Sequence, residues 1–378
     1  MSNLDWFVLI FSLVSIVTYG IWKTRGAKDL QSYLKGNNDA KWWGIGISIM
    51  ATQASAITFL STPGQAYTDG MRFIQFYFGL PIAMIILSVT FLPIFYKLKV
   101  YTAYEYLETG FDLKTRTLAA FLFLIQRGLA TGITIYAPSI ILSTLLNWNL
   151  TLTNIFIGLL VILYTVSGGT KAVTQTQKQQ MAVMMGGMIL AGILVINMLP
   201  NNISFLDAVN VAGKMGKLNL VNFDFDLDDR YNFWTGTTAA LFLFLSYFGT
   251  DQSQVQRYLT GKSLAQSRLG LIMNGLLKIP MQLIILFIGV MVFVFYQFNT
   301  PPIFFNKVEL NNIKSSNYSE EVNNLENEFK LLHDKKTVDI YSLLDAQKNE
   351  DKGRVQELKK RVLTIESKMQ EINSNVKT

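Results

Sequence analysis

The chain has no cysteine and a single histidine, His333, among its 378 residues. Those two absences remove disulfides, thiol nucleophiles and the Cys/His ligand sets of zinc, haem and iron–sulfur sites. No G-x-x-x-x-G-K-[ST] segment occurs either, which argues against the phosphate-cradling loop of an ATP-driven pump. Charge is scarce: Asp, Glu, Lys and Arg make up 16% of the chain, against about 25% in a soluble domain. What replaces it is apolar, with 50% hydrophobic residues and 26 Phe. A chain of this composition belongs in a lipid bilayer.

Windows long enough to cross about 30 Å of hydrocarbon run Leu4 to Trp22, Trp42 to Thr62, Phe73 to Tyr96, Thr117 to Leu146, Leu152 to Ser167, Met181 to Leu199, Phe233 to Gly249 and Leu269 to Phe298. They make eight expected spans. The first has no basic leader and no small-residue cleavage site, so it reads as a retained helix rather than a signal peptide. Lys and Arg in the short loops set the orientation. With the N-terminus outside, the inner loops hold fourteen: Lys23, Arg25, Lys28, Lys35, Lys41, Lys97, Lys99, Lys114, Arg116, Lys171, Lys178, Arg257, Lys262 and Arg268. The outer loops hold four: Arg72, Lys214, Lys217 and Arg230. This bias places the N-terminus and the C-terminal tail outside or in the periplasm, at a plasma or inner membrane. It also accounts for the net charge of +7 by topology, with no nucleic-acid partner.

The character changes after Phe298, where Pro301 and Pro302 stop the last span. The expected organisation is a transmembrane domain over 1–300 and an extramembrane helical segment over 301–378. In the latter, Val355, Leu358, Val362, Ile365, Met369 and Ile372 recur at helical-seam spacing. Val322, Leu325, Phe329 and Leu332 offer a partner seam, with Gly353 as the expected break. The loop 201–230 carries the acidic run FDFDLDD, whose spacing fits no calcium loop and reads as surface charge.

One span is chemically odd. Ile47 to Gly64, ISIMATQASAITFLSTPG, puts Ser48, Thr52, Gln53, Ser55, Thr58 and Ser61 around a whole helix circumference before Pro63 and Gly64. Unpaired polar groups in hydrocarbon cost several kcal/mol each, so such a helix sits centrally in a bundle. Two readings remain: a small-residue packing interface, or a helix unwound at mid-membrane whose carbonyl oxygens ligate a hard cation.

The surrounding motifs favour the second. WWGIGISIMATQASAITFLSTPG, FLPIFYKL, YTAYEYLE, YAPSI, SGGTKAVTQTQKQQ and GTDQSQVQRYLTGKS occur in the order and approximate spacing of the sodium:solute symporter family. The chain resembles that family over about residues 1–300, and ASAITFLSTP with TAYEYLE and YAPS looks most like its iodide, multivitamin and monocarboxylate branch. Likeness to sodium/sugar carriers is weaker. The resemblance implies an all-α, inverted-repeat transporter fold of five plus five core helices after one extra helix, with sodium and solute near the midplane. On that scheme three core helices are missing beyond residue 300, which points to a fragment or a truncated product.

The resemblance also assigns residues. The backbone carbonyls of Ala51 and Ala54 match half of the principal sodium site, the other half lying on a helix absent here. Gln177 stands where the family signature has an acid, so no second sodium site of that type is expected. Tyr247 and Lys278, 31 residues apart, match polar groups at the sugar site of relatives. Ile57, Thr58, Tyr77 and Phe244 replace other sugar contacts, leaving a pocket too poor in hydrogen-bonding groups to read a hexose. Arg127 is a second cation inside a span, either a carboxylate binder or the ion-pair partner of Asp251. The candidate solute set is therefore Gln53, Thr58, Tyr77, Tyr247, Lys278 and Arg127.

The function these implications describe is sodium-coupled symport of a small organic anion or vitamin-like carboxylate, with Na+ as coupling ion and no covalent chemistry. A sugar, sialic acid or amino acid is the next solute class. A transporter-like sensor and a nonfunctional fragment are the readings from other classes.

Overall fold

Long apolar stretches, with proline beyond the first turn of a helix only at Pro138 and Pro280 among the described residues, give a chain made almost wholly of helix. The computed structural model describes residues 3–24, 34–55, 57–146, 148–226, 228–305, 310 and 313–376. Arg25 and Lys28 of the orientation count lie outside them. In chain order the helices are α1 (Asn3–Thr24), α2 (Trp42–Gln53), α3 (Thr62–Asp69), α4 (Gly79–Val89), α5 (Phe91–Leu98), α6 (Glu105–Gly110), α7 (Leu113–Leu146), α8 (Leu150–Asn197), α9 (Phe205–Lys214), α10 (Phe233–Thr250), α11 (Gln252–Leu259), α12 (Leu264–Phe298), α13 (Ser319–Lys348) and α14 (Lys352–Asn375). A π-helical turn, Ile57–Ser61, leads into α3, and a 3-10 stretch, Gly70–Tyr77, leads towards α4.

Four described stretches are long and apolar enough to cross a membrane by themselves: Ile57–Leu98, Leu113–Thr144, Val173–Asn197 and Leu264–Phe298. The fifth and sixth expected spans are not separate. The fifth lies wholly, and the sixth all but its last two residues, in α8, a continuous helix of 48 residues, about 72 Å long at 1.5 Å per residue. The Gly168–Gly169 pair and the polar run after it looked like a loop. Two helical glycines cost only about 1 kcal/mol each, too little to stop a helix supported from both sides.

The chain packs as two compact units. The first holds Met1–Thr62, Arg72–Met188 and Leu220–Ile285. Its core joins Ile45 and Ile49 of α2, Leu80, Met84 and Leu87 of α4, Phe244 and Phe248 of α10, Tyr258 of α11 and Leu271 of α12. Lipid is as apolar as leucine, so such a core is held by close packing rather than by escape from water. Gly46 and Gly79 are two of the positions where that packing leaves no room for a side chain. A Cβ on Gly46 would lie 2.7 Å from Met273 Sδ, and one on Gly79 would lie 2.7 Å from both Leu241 N and Thr237 O. The start of α2 is tied to the α11–α12 turn by Ala40 N–H donating to Thr260 O (3.2 Å) and by Trp42 N–H donating to Gln266 Oε1 (2.8 Å).

The second unit holds Pro63–Met71, Ile189–Asn219 and Leu286–Thr378. Here the two expected seams do meet: α13 and α14 form an antiparallel hairpin in which Val322 and Phe329 cluster with Met369 and Ile372, and Leu343 and Ala346 with Leu358. The turn is not at Gly353, which lies inside α14. It spans Asn349 to Asp351, with Glu350 in the left-handed region (φ 57°) and Asp351 capping Arg354 N–H. The hairpin docks on the end of α12. Thr337 Oγ1 donates to Gln297 O at 2.9 Å, and Tyr341 lies against Phe298 with ring centroids 5.3 Å apart. That main-chain oxygen is in the last turn of a helix, where no intrahelical donor reaches it.

His333, 1% exposed, completes this cap: Nε2–H donates to Tyr296 O (3.0 Å) and Nδ1 accepts from Thr300 Oγ1 (3.3 Å), which uses the neutral ring fully. Burial pushes its pKa below the usual value, and Lys336 nearby pushes the same way, against the Tyr296 bond and Asp334. A base with a depressed folded pKa stabilises above the usual histidine range of about 6.5 and loses that contribution as pH falls through it. Glu366 also faces the hairpin interior, near Lys336 and Lys217, and burial raises its pKa, so its protonation at lower pH works in the opposite sense. The His333 contribution is therefore read against His333→Gln: from pH 7.5 to pH 5.5, after correction for intrinsic rates, the wild type is expected to lose more amide protection over 319–375 than the variant.

Candidate functional site

The site begins where α2 stops being a helix. Its last residue is Gln53, and Ala54 turns to extended backbone (φ −78°, ψ 92°) with its own N–H shared between Met50 O (2.9 Å) and Ala51 O (3.2 Å). Ser55 O then takes Thr58 N–H (3.0 Å) and Phe59 N–H (3.3 Å) as the π turn starts. Among the described residues no backbone N–H donates to Ala54 O, while Ala51 O holds the long arm of one shared bond. Thr58 Oγ1 donates to Gln53 O at 3.3 Å, and the Gln53 side-chain oxygen is buried with no partner. Gln53, Thr58 and the two alanine carbonyls are thus brought to one break. Two carbonyls fit as part of a sodium shell and not as a whole one, since a hard cation of this kind takes about six oxygens.

The break is braced from α8. Ser48 Oγ donates to Gln177 Oε1 (2.8 Å), and Gln177 Nε2 donates to Thr52 Oγ1 (2.9 Å). Both ends of this amide are therefore engaged on the last two turns of α2 before Ala54. The neighbouring Lys178 ammonium lies over the Trp43 ring, 4.6 Å from its centroid.

The other candidates fall into separate surroundings. Tyr77 meets Phe244 at 6.1 Å between ring centroids, with Phe73 and Phe76 around them, so two positions lost to aromatics pack on each other. Tyr247 OH accepts from Gln254 Nε2 at 2.8 Å, and its ring lines a cavity of about 620 Å³ together with Phe91, Tyr104, Phe123, Gln126 and Asp251. Arg127 points its Nη1 at Asp251 Oδ2, 3.5 Å away. Asp251 also caps α11 through Ser253 N–H (2.8 Å), so Arg127 takes the ion-pair role that its sequence position left open.

Lys278 is different. It is 1% exposed in the middle of α12, and its ammonium has no hydrogen-bond partner among the described residues. One turn either side, Asn274 and Gln282 are both fully buried, with Asn274 Oδ1 and both polar atoms of the Gln282 amide unpartnered. These two were not singled out from sequence. The signal was present, because N-x-x-x-K-x-x-x-Q in an otherwise apolar helix places three polar groups on one face.

The model of the sodium:solute symporter family matches residues 33–318. The chain belongs to that family. It is 32% identical over 284 residues to sodium-coupled monocarboxylate transporter 1 of Xenopus laevis, a match covering 71% of this chain and 44% of the relative. It is 30% identical over 301 residues to the human sodium/iodide cotransporter, covering 77% and 46%, and 30% identical to the rabbit (Oryctolagus cuniculus) sodium-dependent multivitamin transporter, covering 68% and 40%. Among solved structures, a substrate-bound, outward-open Na+-coupled sialic acid symporter superposes with a TM-score of 0.75 at 27% identity, over 81% of this chain and 64% of that one. The chain thus spans less than half the length of these curated relatives. Family and apolar helices together make it a multi-pass membrane protein with the symporter fold.

Replacing Gln177 by Leu removes two hydrogen bonds and leaves the Ser48 hydroxyl to find a new acceptor, a loss of about 1–3 kcal/mol. It is expected to lower the apparent melting temperature in detergent by several degrees. Gln175→Leu, at a half-buried neighbour outside this network, is the control, measured by intrinsic fluorescence.

Proposed function

We propose that this chain is part of a sodium-coupled secondary symporter that moves a small organic anion by alternating access. The reading is carried by the interruption of α2. A helix centred among others gives up its ladder at Ala54, and the main-chain oxygens released there suit an alkali cation better than any side-chain set among the described residues. Ala51 and Ala54 supply part of that ion's shell, and Gln53 lies beside them with an unused side-chain oxygen. The Gln177 amide, hydrogen-bonded at both ends, holds the last turn of α2 in place and brings no charge of its own.

For the solute, Lys278 is the deciding group. An ammonium withdrawn from water with nothing to accept its protons is costly alone, and a bound anion removes that cost. The meeting of Tyr77 with Phe244 disfavours a hexose, whose hydroxyls need matched polar partners. Similarity to transporters named for monocarboxylates, iodide and vitamins supports an anionic solute. The cavity beside Tyr247, lined at one side by Asp251, the ion-pair partner of Arg127, is assigned to the path towards the inner face.

The test is binding of radiolabelled propionate to the chain in lipid nanodiscs. Sodium is expected to raise its affinity at least about tenfold over choline, and Lys278→Met to abolish binding in either salt. Equal binding in the two salts contradicts the sodium coupling, and undiminished binding by the Lys278 variant contradicts the solute site.

A further inference from the structure

Proline 280 sits inside α12 between Lys278 and Gln282 and donates no hydrogen bond to the preceding turn, so Leu276 O lacks its usual donor at this level. Around that point three buried side chains stand on one helix face, about 6 Å of rise apart from each to the next: Asn274, Lys278 and Gln282. Buried polar atoms are almost always paired. Here four in a row are not: Asn274 Oδ1, Lys278 Nζ, Gln282 Oε1 and Gln282 Nε2. Among the described residues no hydrogen-bond partner satisfies them. Asn274 has only a 3.7 Å contact from its Nδ2 to the Met84 thioether.

We infer that Gln282 is the specificity-determining residue of the solute site, donating from Nε2 to the second oxygen of a carboxylate whose first oxygen is held by Lys278. This rests on the reading of Lys278 as the solute-binding cation. A single ammonium attracts any small anion alike. Adding a neutral donor one turn away rewards an anion that is planar and has two oxygens to offer, and gives a monatomic anion nothing in return. On the other side of Lys278, the Asn274 carbonyl oxygen accepts from a hydroxyl or N–H carried by the solute next to its carboxylate. The face as a whole therefore reads a carboxylate bearing a hydrogen-bond donor, and it is Gln282 that separates carboxylates from halides.

The experiment compares propionate and iodide as competitors for radiolabelled propionate on the full chain in nanodiscs, in sodium. Wild type is expected to favour propionate over iodide by about tenfold or more, the worth of one hydrogen bond to a charged group. Gln282→Leu is expected to bring the two anions to similar affinity. Gln282→Glu, of the same shape but charged, is expected to weaken both anions while keeping or improving binding of uncharged propionamide, an outcome that a purely structural role does not produce. An unchanged propionate-to-iodide ratio in Gln282→Leu, or equal loss of propionate, iodide and propionamide in both variants, overturns the assignment while leaving the symporter reading intact. If wild type binds neither anion in sodium, the solute reading itself falls and this assignment falls with it.

Discussion

Everything in the first unit depends on how a main chain satisfies its own polar groups where water is absent. A helix does this completely, and for that reason a continuous helix has nothing left to offer an ion. At Ala54 the ladder is given up, and the cost of doing so is contained by neighbours. The Ala54 N–H is shared between two carbonyls, Ser55 O takes two donors, and Thr58 Oγ1 returns to Gln53 O. The remaining capacity sits on the Ala54 carbonyl and the second lone pair of Ala51. The break is local because α2 is pinned on both sides of its length, by Gln266 at its start and by Gln177 near its end.

That frame explains why the polar side chains lie where they do. Hydroxyls on α2 are used to brace it, and Tyr77 and Phe244 turn to each other as an aromatic contact. Two cations on the long helices differ in how they are answered: Arg127 has Asp251, whereas the Lys278 ammonium has no hydrogen-bond partner among the described residues. An unanswered buried ammonium is poorly explained by stability alone and well explained by a ligand that comes and goes. The second unit follows a different logic, since its hairpin supplies hydrogen bonds to the end of α12 from His333 and Thr337, groups that a surface helix without a docking partner has no need to bury.

Much of this was legible in the sequence. The density of Ser, Thr and Gln from Ile47 to Gly64 marked the interrupted helix, and the spacing of Val355 to Ile372 marked the hairpin. Three features were not legible. The continuity of α8 was hidden because Gly168, Gly169 and the polar run behind them resemble a loop, and only support from both flanking segments makes them helical. The hairpin turn was misplaced at Gly353 because glycine is the usual left-handed residue, whereas Glu350 adopts that conformation here. Asn274 and Gln282 passed unnoticed because amides in a span are neutral, and it is their lack of partners in three dimensions that singles them out.

The central claim is that the Ala54 carbonyl is free of the helix and faces a cation. Ala54–Ser55 is the only Ala–Ser pair in the chain, so carbonyl-¹³C alanine combined with ¹⁵N serine selects that one peptide for solid-state NMR. The account predicts a non-helical carbonyl shift in choline that moves on exchange into sodium. A helical shift, identical in both salts, would contradict it.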